Sequence, residues 1–143
     1  MFSKLKKSLG LGSNADEQND TTPAAETPKP TVVDVTDADF AAIALKSDKL
    51  VVVDFWADWC QPCETMSAFV GFLSLDFADR LLVTALDVDE NPETQAAYGI
   101  MGLPTLIFLR NGEEIHRQVG VQSYAQMKAL VEHLLDNVGD SGE

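Results

Sequence analysis

The chain has 143 residues, of which 45% are hydrophobic, and a mean hydropathy of −0.03, which is typical of a single soluble domain large enough to bury a core. No apolar run approaches the roughly 18 residues of a membrane span. The net charge of −13 argues against nucleic acid as a partner, because phosphate binding needs a basic surface.

The first thirty residues differ in composition from the rest. Residues 2–11 place Phe2, Leu5 and Leu9 at helical spacing with three lysines among them, a pattern that fits an anionic membrane surface or a docking partner. The segment is too short for strong membrane attachment, so a flexible tail is the favoured interpretation. Residues 12–30 have almost no large apolar side chain and are predicted to form a disordered linker.

The lysines resemble the start of a secretory signal, but no apolar stretch of about 7–15 residues follows them. We therefore expect no export and a cytoplasmic location.

From Thr31 the chain becomes regular. A strand is predicted over 32–35, followed by a helix over 36–46 that Thr36 and Asp37 can cap. Residues 50–56 are nearly all apolar, as expected of a strand covered on both faces, and apolar positions at helical spacing then continue to about residue 79.

The second half of the chain has clear boundary signals. The predicted elements are a strand over 81–87, a short helix from Asn91-Pro92 to Tyr98-Gly99, strands over 105–109 and 113–119 joined at Asn111-Gly112, and a helix with a Ser123/Gln126 capping box that stops before Gly139. The order β-α-β-α-β-α-β-β-α predicts an α/β fold with one mixed sheet and helices on both faces. We expect a folded domain over 31–138 and a frayed acidic tail over 139–143.

Cys60 and Cys63 are the only cysteines. Two cysteines three positions apart cannot close a long loop, so the pair is either redox-active or half of a metal site. The histidines that could complete a zinc site, His116 and His133, do not have ligand spacing, which makes zinc the weaker alternative. A strand leading into a helix places Cys60 at the helix N-terminus, where unpaired N–H groups and the dipole favour a reactive thiolate.

Asp54 lies inside the apolar strand that precedes the cysteines. Partial desolvation there is expected to raise its pKa toward the range useful for proton transfer. The structural alternative is that this aspartate simply caps the end of a strand.

From Val33 to Asn137 the chain resembles a thioredoxin. The resemblance rests on ordered motifs, which are Val53-Asp-Phe-Trp-Ala-Asp-Trp-Cys-Gln-Pro-Cys63, Asp87-Val-Asp-Glu-Asn-Pro92, Tyr98-Gly-Ile-Met-Gly-Leu-Pro-Thr105, Asn111-Gly112 and Val119-Gly120. It implies the thioredoxin fold, with three α/β/α layers, and a protein-disulfide reductase that works by reversible dithiol–disulfide exchange.

The resemblance also implies a role for each group in the site. Cys60 is the exposed nucleophile that attacks a target disulfide, the more buried Cys63 resolves the mixed disulfide, and Asp54 helps to deprotonate Cys63. No cofactor is bound. Electrons come from NADPH through a flavin-containing thioredoxin reductase, and the substrates are disulfide-containing proteins.

By the same resemblance, substrate proteins dock on the residues around the cysteines, namely Trp59, Gln61, Pro62, Leu103, Pro104 and Gly120. The bond between Leu103 and Pro104 is expected to be cis, and the backbone at residue 103 to pair with a substrate strand. Trp59 is expected at the rim of the site, with Trp56 packed beneath it.

Four positions depart from the family pattern. Gln61 replaces a glycine between the cysteines, and such a change can alter the reduction potential. Ala85 replaces a lysine near the buried aspartate, which should leave Asp54 easier to keep protonated. Ala68 replaces a proline that kinks the helix, so a straighter helix is expected, and Glu64 puts an acid where a lysine is common.

Two alternative functions remain at this point. An oxidase or isomerase of the same fold would work in an oxidising compartment, but such relatives usually have a histidine where this chain has Pro62. A redox-capable adaptor or chaperone would use the N-terminal segment for binding. The joint presence of both cysteines, Asp54 and Pro104 argues against a degenerate site.

Overall fold

A computed structural model describes residues 28–141, with side chains up to residue 137. The basic segment of residues 2–11, most of the predicted linker and the last two residues of the acidic tail lie outside the described residues. Among residues 28–141, no helix combines the length and apolar character needed to cross a bilayer.

The fold is a five-stranded mixed sheet. Its strands are β1 (Val33–Asp34), β2 (Leu50–Trp56), β3 (Leu81–Asp87), β4 (Thr105–Arg110) and β5 (Glu113–Val119), and its α-helices are α1 (Gln61–Asp76), α2 (Pro92–Ala97) and α3 (Tyr124–Ser141). The spatial order is β1-β3-β2-β4-β5, with β1, β3 and β2 parallel and β4 antiparallel to both of its neighbours. This confirms the predicted α/β class and the mixed sheet.

The alternation of side chains along β2 supplies two separate cores. Val51, Val53 and Phe55 join a cluster on one face that includes residues before β2 and after α2. Leu50 and Val52 belong to a cluster on the other face, which α1 and α3 cover with the buried side chains Met66, Val70, Leu73, Met127 and Val131. The sheet is therefore covered on both faces, as the apolar sequence of β2 predicted.

The helix predicted over 36–46 is wrong in type and length. A turn is followed by a single π-helical turn, Ala41–Leu45, and Phe40 and Ala44 are the only buried residues between positions 36 and 46. A segment that buries so little gains too few contacts to support a long α-helix.

Asp37 does not cap its own segment either. Its carboxylate accepts hydrogen bonds from the backbone N–H groups of Glu93 (3.1 Å) and Thr94 (2.8 Å) and from the Thr94 hydroxyl (2.7 Å). Asp37 thus caps α2, more than fifty residues away. The cap of its own segment is an exchange of hydrogen bonds between Thr36 and Asp39.

The other boundary signals behave as predicted. Asn111 and Gly112 both have positive φ (54° and 83°), as the two-residue turn of a β-hairpin requires. Ser123 and Gln126 form the capping box at the start of α3. The helices α1 and α3 differ from prediction at their ends: α1 ends at Asp76, three residues early, and α3 continues past Gly139 to Ser141.

Candidate active site

The two cysteines lie where β2 gives way to α1. Cys60 is the N-cap residue of α1, with an extended backbone (φ −92°, ψ 105°) and no side-chain capping bond. It forms a disulfide with Cys63, the two Cα atoms being 5.3 Å apart. Pro62 lies in the first helical turn, where its missing N–H group costs no hydrogen bond. A thiolate at Cys60 would lie at the positive end of the helix dipole.

The expected difference in exposure between the cysteines is absent from this disulfide form. Cys60 is 5% exposed and Cys63 is 4% exposed. Each bonded sulfur covers part of the other, and both residues pack into the core on one face of the sheet. In the oxidised chain, Cys60 is therefore buried and not exposed as expected.

Asp54 lies in the middle of β2 and is 1% exposed. Its Oδ1 atom has no hydrogen-bond partner among the described residues. Burial raises the pKa of Asp54 to about 7, because desolvation disfavours the charged carboxylate. An orphaned buried oxygen does not fit a strand cap, which would accept backbone hydrogen bonds, and it does fit a proton acceptor.

A cavity of about 460 Å³ connects this aspartate with the disulfide. Its walls include Asp54, Cys60 and Cys63, together with Val32, Asp34, Trp56, Ala57, Asp58, Glu64, Ser67, Val70 and Ala85. Such a volume is large enough for several water molecules, and the wall supplies the polar groups that hold them.

Part of this wall was not identified from the sequence. Asp34 pairs with Ala85 across β1 and β3, and Ala85 pairs with Asp54 across β3 and β2. The three residues form one row, with a carboxylate on each side of the alanine. Only the strand register brings Asp34 here, whereas Asp58 had a local signal in its position two residues before Cys60.

Trp59 lies at the rim of the site, as predicted, with 71% of its surface exposed. Its indole N–H donates to the carboxylate of Asp89 at 2.9 Å, a partner that the sequence analysis missed although it lies in a quoted motif. Trp56 is partly buried and packs against the core cluster that contains both cysteines.

The loop before β4 completes the surroundings of the disulfide. The peptide bond between Leu103 and Pro104 is cis, as expected, and Leu103 packs against the cluster that contains both cysteines. The N–H of Gly120 donates to the carbonyl of Pro104 at 2.8 Å, and φ of +87° at this position favours glycine.

Exposed apolar side chains flank this loop. Met101 is 95% exposed and Val119, which pairs with Thr105 of β4, is 65% exposed. Apolar groups this open to solvent are typical of a surface that binds another molecule.

Three of the four departures from the family pattern lie on α1, and the fourth, Ala85, lies on β3. Gln61 and Pro62 are exposed on its first turn, and Glu64 is exposed beside the cavity. The helix runs without a break past Ala68, from Gln61 to Asp76.

The two histidines have other neighbours. The His116 ring packs against Phe108 at a tilted angle, with ring centroids 6.0 Å apart, and His133 contacts Asn137 at 2.9 Å within α3. In the part of the chain that the structure describes, no three His, Cys, Asp or Glu side chains are grouped to hold a metal ion.

Comparison with known proteins identifies close relatives. The family model named Thioredoxin matches residues 31–133. A thioredoxin of Rickettsia bellii is 38% identical over 104 residues, which cover 73% of this chain and 96% of that protein. A thioredoxin of Alicyclobacillus acidocaldarius is 42% identical over 101 residues, 71% of this chain and 95% of its own.

Proposed function

The chain belongs to the thioredoxin family and is a thiol–disulfide oxidoreductase that reduces protein disulfides, and we propose that Cys60, Cys63 and Asp54 carry the reaction. The observation that supports this assignment best is the disulfide at the N-terminus of α1, which shares a cavity with a buried carboxylate whose Oδ1 has no hydrogen-bond partner among residues 28–141. The reaction needs no bound cofactor, because two thiols supply the two electrons that a disulfide accepts.

In the first step the reduced chain meets a target disulfide. The Cys60 thiolate attacks one target sulfur, forming a new S–S bond while the target disulfide breaks and its other sulfur leaves as a thiolate. The N-terminus of α1 favours the Cys60 thiolate through its dipole and unpaired N–H groups.

In the second step Cys63 resolves the mixed disulfide. Its thiol gives a proton to the Asp54 carboxylate, and the resulting thiolate attacks the sulfur of Cys60. The intramolecular disulfide forms and the second target sulfur leaves as a thiolate. A pKa of about 7 suits this exchange, because a general base works best when its pKa is near the working pH. The shared cavity supports proton transfer between Asp54 and Cys63 through water.

We assign substrate docking to the residues around the disulfide, which are Trp59, Gln61, Pro62, Leu103, Pro104 and Gly120. The exposure of Trp59, and of Met101 beside this loop, supports the assignment. A substrate chain in extended form would pair with the backbone at residue 103, as a β-strand adds to an open edge.

Disulfide-containing proteins are the substrates, and a reductase restores the dithiol. More specifically, we propose a flavin-containing thioredoxin reductase that takes its electrons from NADPH, and a cytoplasmic location. The family match over residues 31–133 supports a catalytic domain that spans residues 31–138, with residues 1–30 as an extension outside it.

Insulin reduction tests the proposed roles. With dithiothreitol as the electron source, the full chain should accelerate precipitation of the insulin B chain, and Cys60→Ser should abolish the acceleration. In a separate reaction, Cys63→Ser that has been reduced and freed of dithiothreitol should trap the mixed disulfide with insulin, which is visible as a covalent adduct on a non-reducing gel. Equal activity of Cys60→Ser and the unmodified chain would refute the assignment of the nucleophile.

A further inference from the structure

A second exposed apolar surface lies on α1, away from its N-terminus. Phe69, Phe72 and Leu75 of α1 and Tyr124 of α3 form it, and we call it the aromatic patch. Phe72 is 47% exposed and Leu75 is 37% exposed. The Tyr124 ring lies 5.5 Å from Phe72 and 5.8 Å from Phe69, measured between ring centroids. Phe69 and Tyr124 are half-buried, and an exposed aromatic ring packed on two others is typical of a contact surface.

Negative charge borders the aromatic patch. The carboxylate of Asp76 accepts a hydrogen bond from the Tyr124 hydroxyl at 2.6 Å and pairs loosely with Lys128 at 3.6 Å. Asp79 and the basic Arg80 are both exposed just beyond the end of α1, so Asp76 is the carboxylate in contact with the patch itself. A partner with an apolar face and positive charges therefore fits the patch better than a purely apolar one.

The first described residues of the chain pack on α1 close to this patch. A Cβ atom at Gly71 would lie 3.5 Å from Pro30, and the backbone N–H of Thr31 donates to the Ser74 hydroxyl at 2.9 Å. Gly71 and Ser74 each precede a patch residue, Phe72 or Leu75, by one position in α1, so Pro30 and Thr31 lie within one helical turn of the patch. Everything that precedes Pro30 is consequently tethered next to the aromatic patch.

One tethered segment has the matching chemistry. Residues 2–11 carry three lysines and no acid, and their apolar residues Phe2, Leu5 and Leu9 fall on one helical face. A flexible chain of sixteen residues, the length of 12–27, has an end-to-end distance of about 20–24 Å. Tethering at this length gives an effective concentration on the order of millimolar, so a weak contact is enough.

We propose that residues 2–11 dock on the aromatic patch of their own chain, with the apolar face on Phe72 and Leu75. The lysines then face Asp76 and Asp79. Charge favours this occupant over a lipid surface, because residues 31–143 hold 6 basic and 19 acidic side chains and an anionic bilayer would repel them.

The test compares amide NMR spectra of full-length variants. The double substitution Leu5→Ser/Leu9→Ser should shift the signals of residues 69–76 and 124–128 and leave the Trp59 indole signal in place. Leu11→Ser is the matched control, because Leu11 lies on the opposite side of the same helical pattern, and it should leave the patch signals unchanged. In the reverse experiment, Phe72→Ser should shift the signals of residues 2–11, with circular dichroism confirming that the fold persists.

Three results would overturn the proposal. If Leu5→Ser/Leu9→Ser left the chemical shifts of the patch residues unchanged, the segment would not touch the patch. Shifts that grow with protein concentration would assign the contact to a second copy. The full chain could also sediment with vesicles of phosphatidylserine and phosphatidylcholine. If Leu5→Ser/Leu9→Ser abolished this sedimentation but did not shift the patch signals, the segment would be assigned to a lipid surface.

Discussion

Asp37 and Asp54 are two aspartates of one domain whose surroundings move their pKa values in opposite directions. Burial acts to raise the pKa of Asp37, but hydrogen bonds from Thr94 and Glu93 outweigh it and leave the pKa lowered. Asp54 is more deeply buried, its Oδ1 has no partner, and burial raises its pKa to about 7. The number of donors around each carboxylate therefore separates a group that fixes the fold from a group that can exchange protons.

The two sites also differ in what they connect. Asp37 joins the segment before β2 to the N-terminus of α2. Its carboxylate therefore stabilises the folded chain through hydrogen bonds that exist only when the two segments are in contact. Asp54 faces a cavity that it shares with Cys60 and Cys63, so its charge can change during the reaction without breaking a hydrogen bond of the fold.

The largest expected effect is on the pH dependence of stability at Asp54. A folded pKa of about 7 against the ordinary 3.8 means that the folded chain retains a proton that the unfolded chain loses. The contribution of Asp54 to stability is then highest below the unfolded pKa and falls as pH rises toward 7, by about 4 kcal/mol in total. The variant Asp54→Asn should not show this loss of stability with rising pH, because asparagine does not titrate.

Urea unfolding of the oxidised protein between pH 3.5 and pH 8 measures that difference. The free energies of unfolding of the wild type and Asp54→Asn should diverge steadily up to pH 7, with the variant more stable at the upper end. If the two free energies ran parallel across this pH range, the pKa of Asp54 would not be raised by folding, and the contrast between Asp54 and Asp37 would be wrong.

The next effect concerns the rate at which the mixed disulfide is resolved. Asn cannot accept the proton of Cys63, so Asp54→Asn should slow resolution about 100-fold, a size common for a lost general base. Formation of the mixed disulfide should keep its rate. Rapid mixing with a chromogenic disulfide separates the two steps.

Asp58→Asn is the matched control for that experiment, since Asp58 borders the same cavity but is exposed. It should change both steps only slightly. If Asp54→Asn slowed both steps equally, or neither, Asp54 would not be the proton acceptor.

A third experiment moves the pKa of Asp54 directly. Ala85 lies between Asp34 and Asp54 in a row across three strands, so Ala85→Lys would place an ammonium group beside both carboxylates. The pKa of Asp54 should fall by at least about 1 pH unit, as measured by carboxyl ¹³C NMR titration. Ala85→Met, which adds similar length without charge, should produce no fall; an equal fall would mean that the added charge is not the cause.

The smallest expected effect is at Asp37. Because the pKa of this carboxylate is lowered, it stabilises the folded chain above its ordinary pKa of 3.8 and loses that effect as pH falls through the folded value. Asp37→Asn should destabilise the chain at pH 7, and the difference should shrink below pH 3.8. Thermal unfolding at pH 7 and pH 2.5 provides the comparison, and a difference that grows in acid would contradict it.

The sequence predicts much of the fold because its signals are local. The apolar run of β2, the Asn111-Gly112 turn and the Ser123/Gln126 capping box each act over a few residues, and each lies where expected. The cysteine pair and its place at the start of α1 follow from the same kind of pattern.

The remaining features depend on contacts between distant parts of the chain. Asp37 lies at the start of the helix predicted over 36–46, but its hydrogen-bond partners are 56 and 57 residues away. The preference for aspartate at a helix N-terminus therefore predicts the wrong helix as its partner. Asp34 reaches the cavity only through the register of β1 on β3. The equal burial of Cys60 and Cys63 in the disulfide form depends on how the loops around them pack, which composition and spacing do not describe.

The proposed reaction requires a Cys60–Cys63 pair that exchanges electrons reversibly, and a redox titration tests this most directly. The purified full chain is equilibrated with mixtures of oxidised and reduced dithiothreitol, and free thiols are then trapped and counted. We predict one transition that releases two thiols per chain and disappears in Cys60→Ser. A pair that stays fully oxidised or fully reduced across all mixtures would contradict the account.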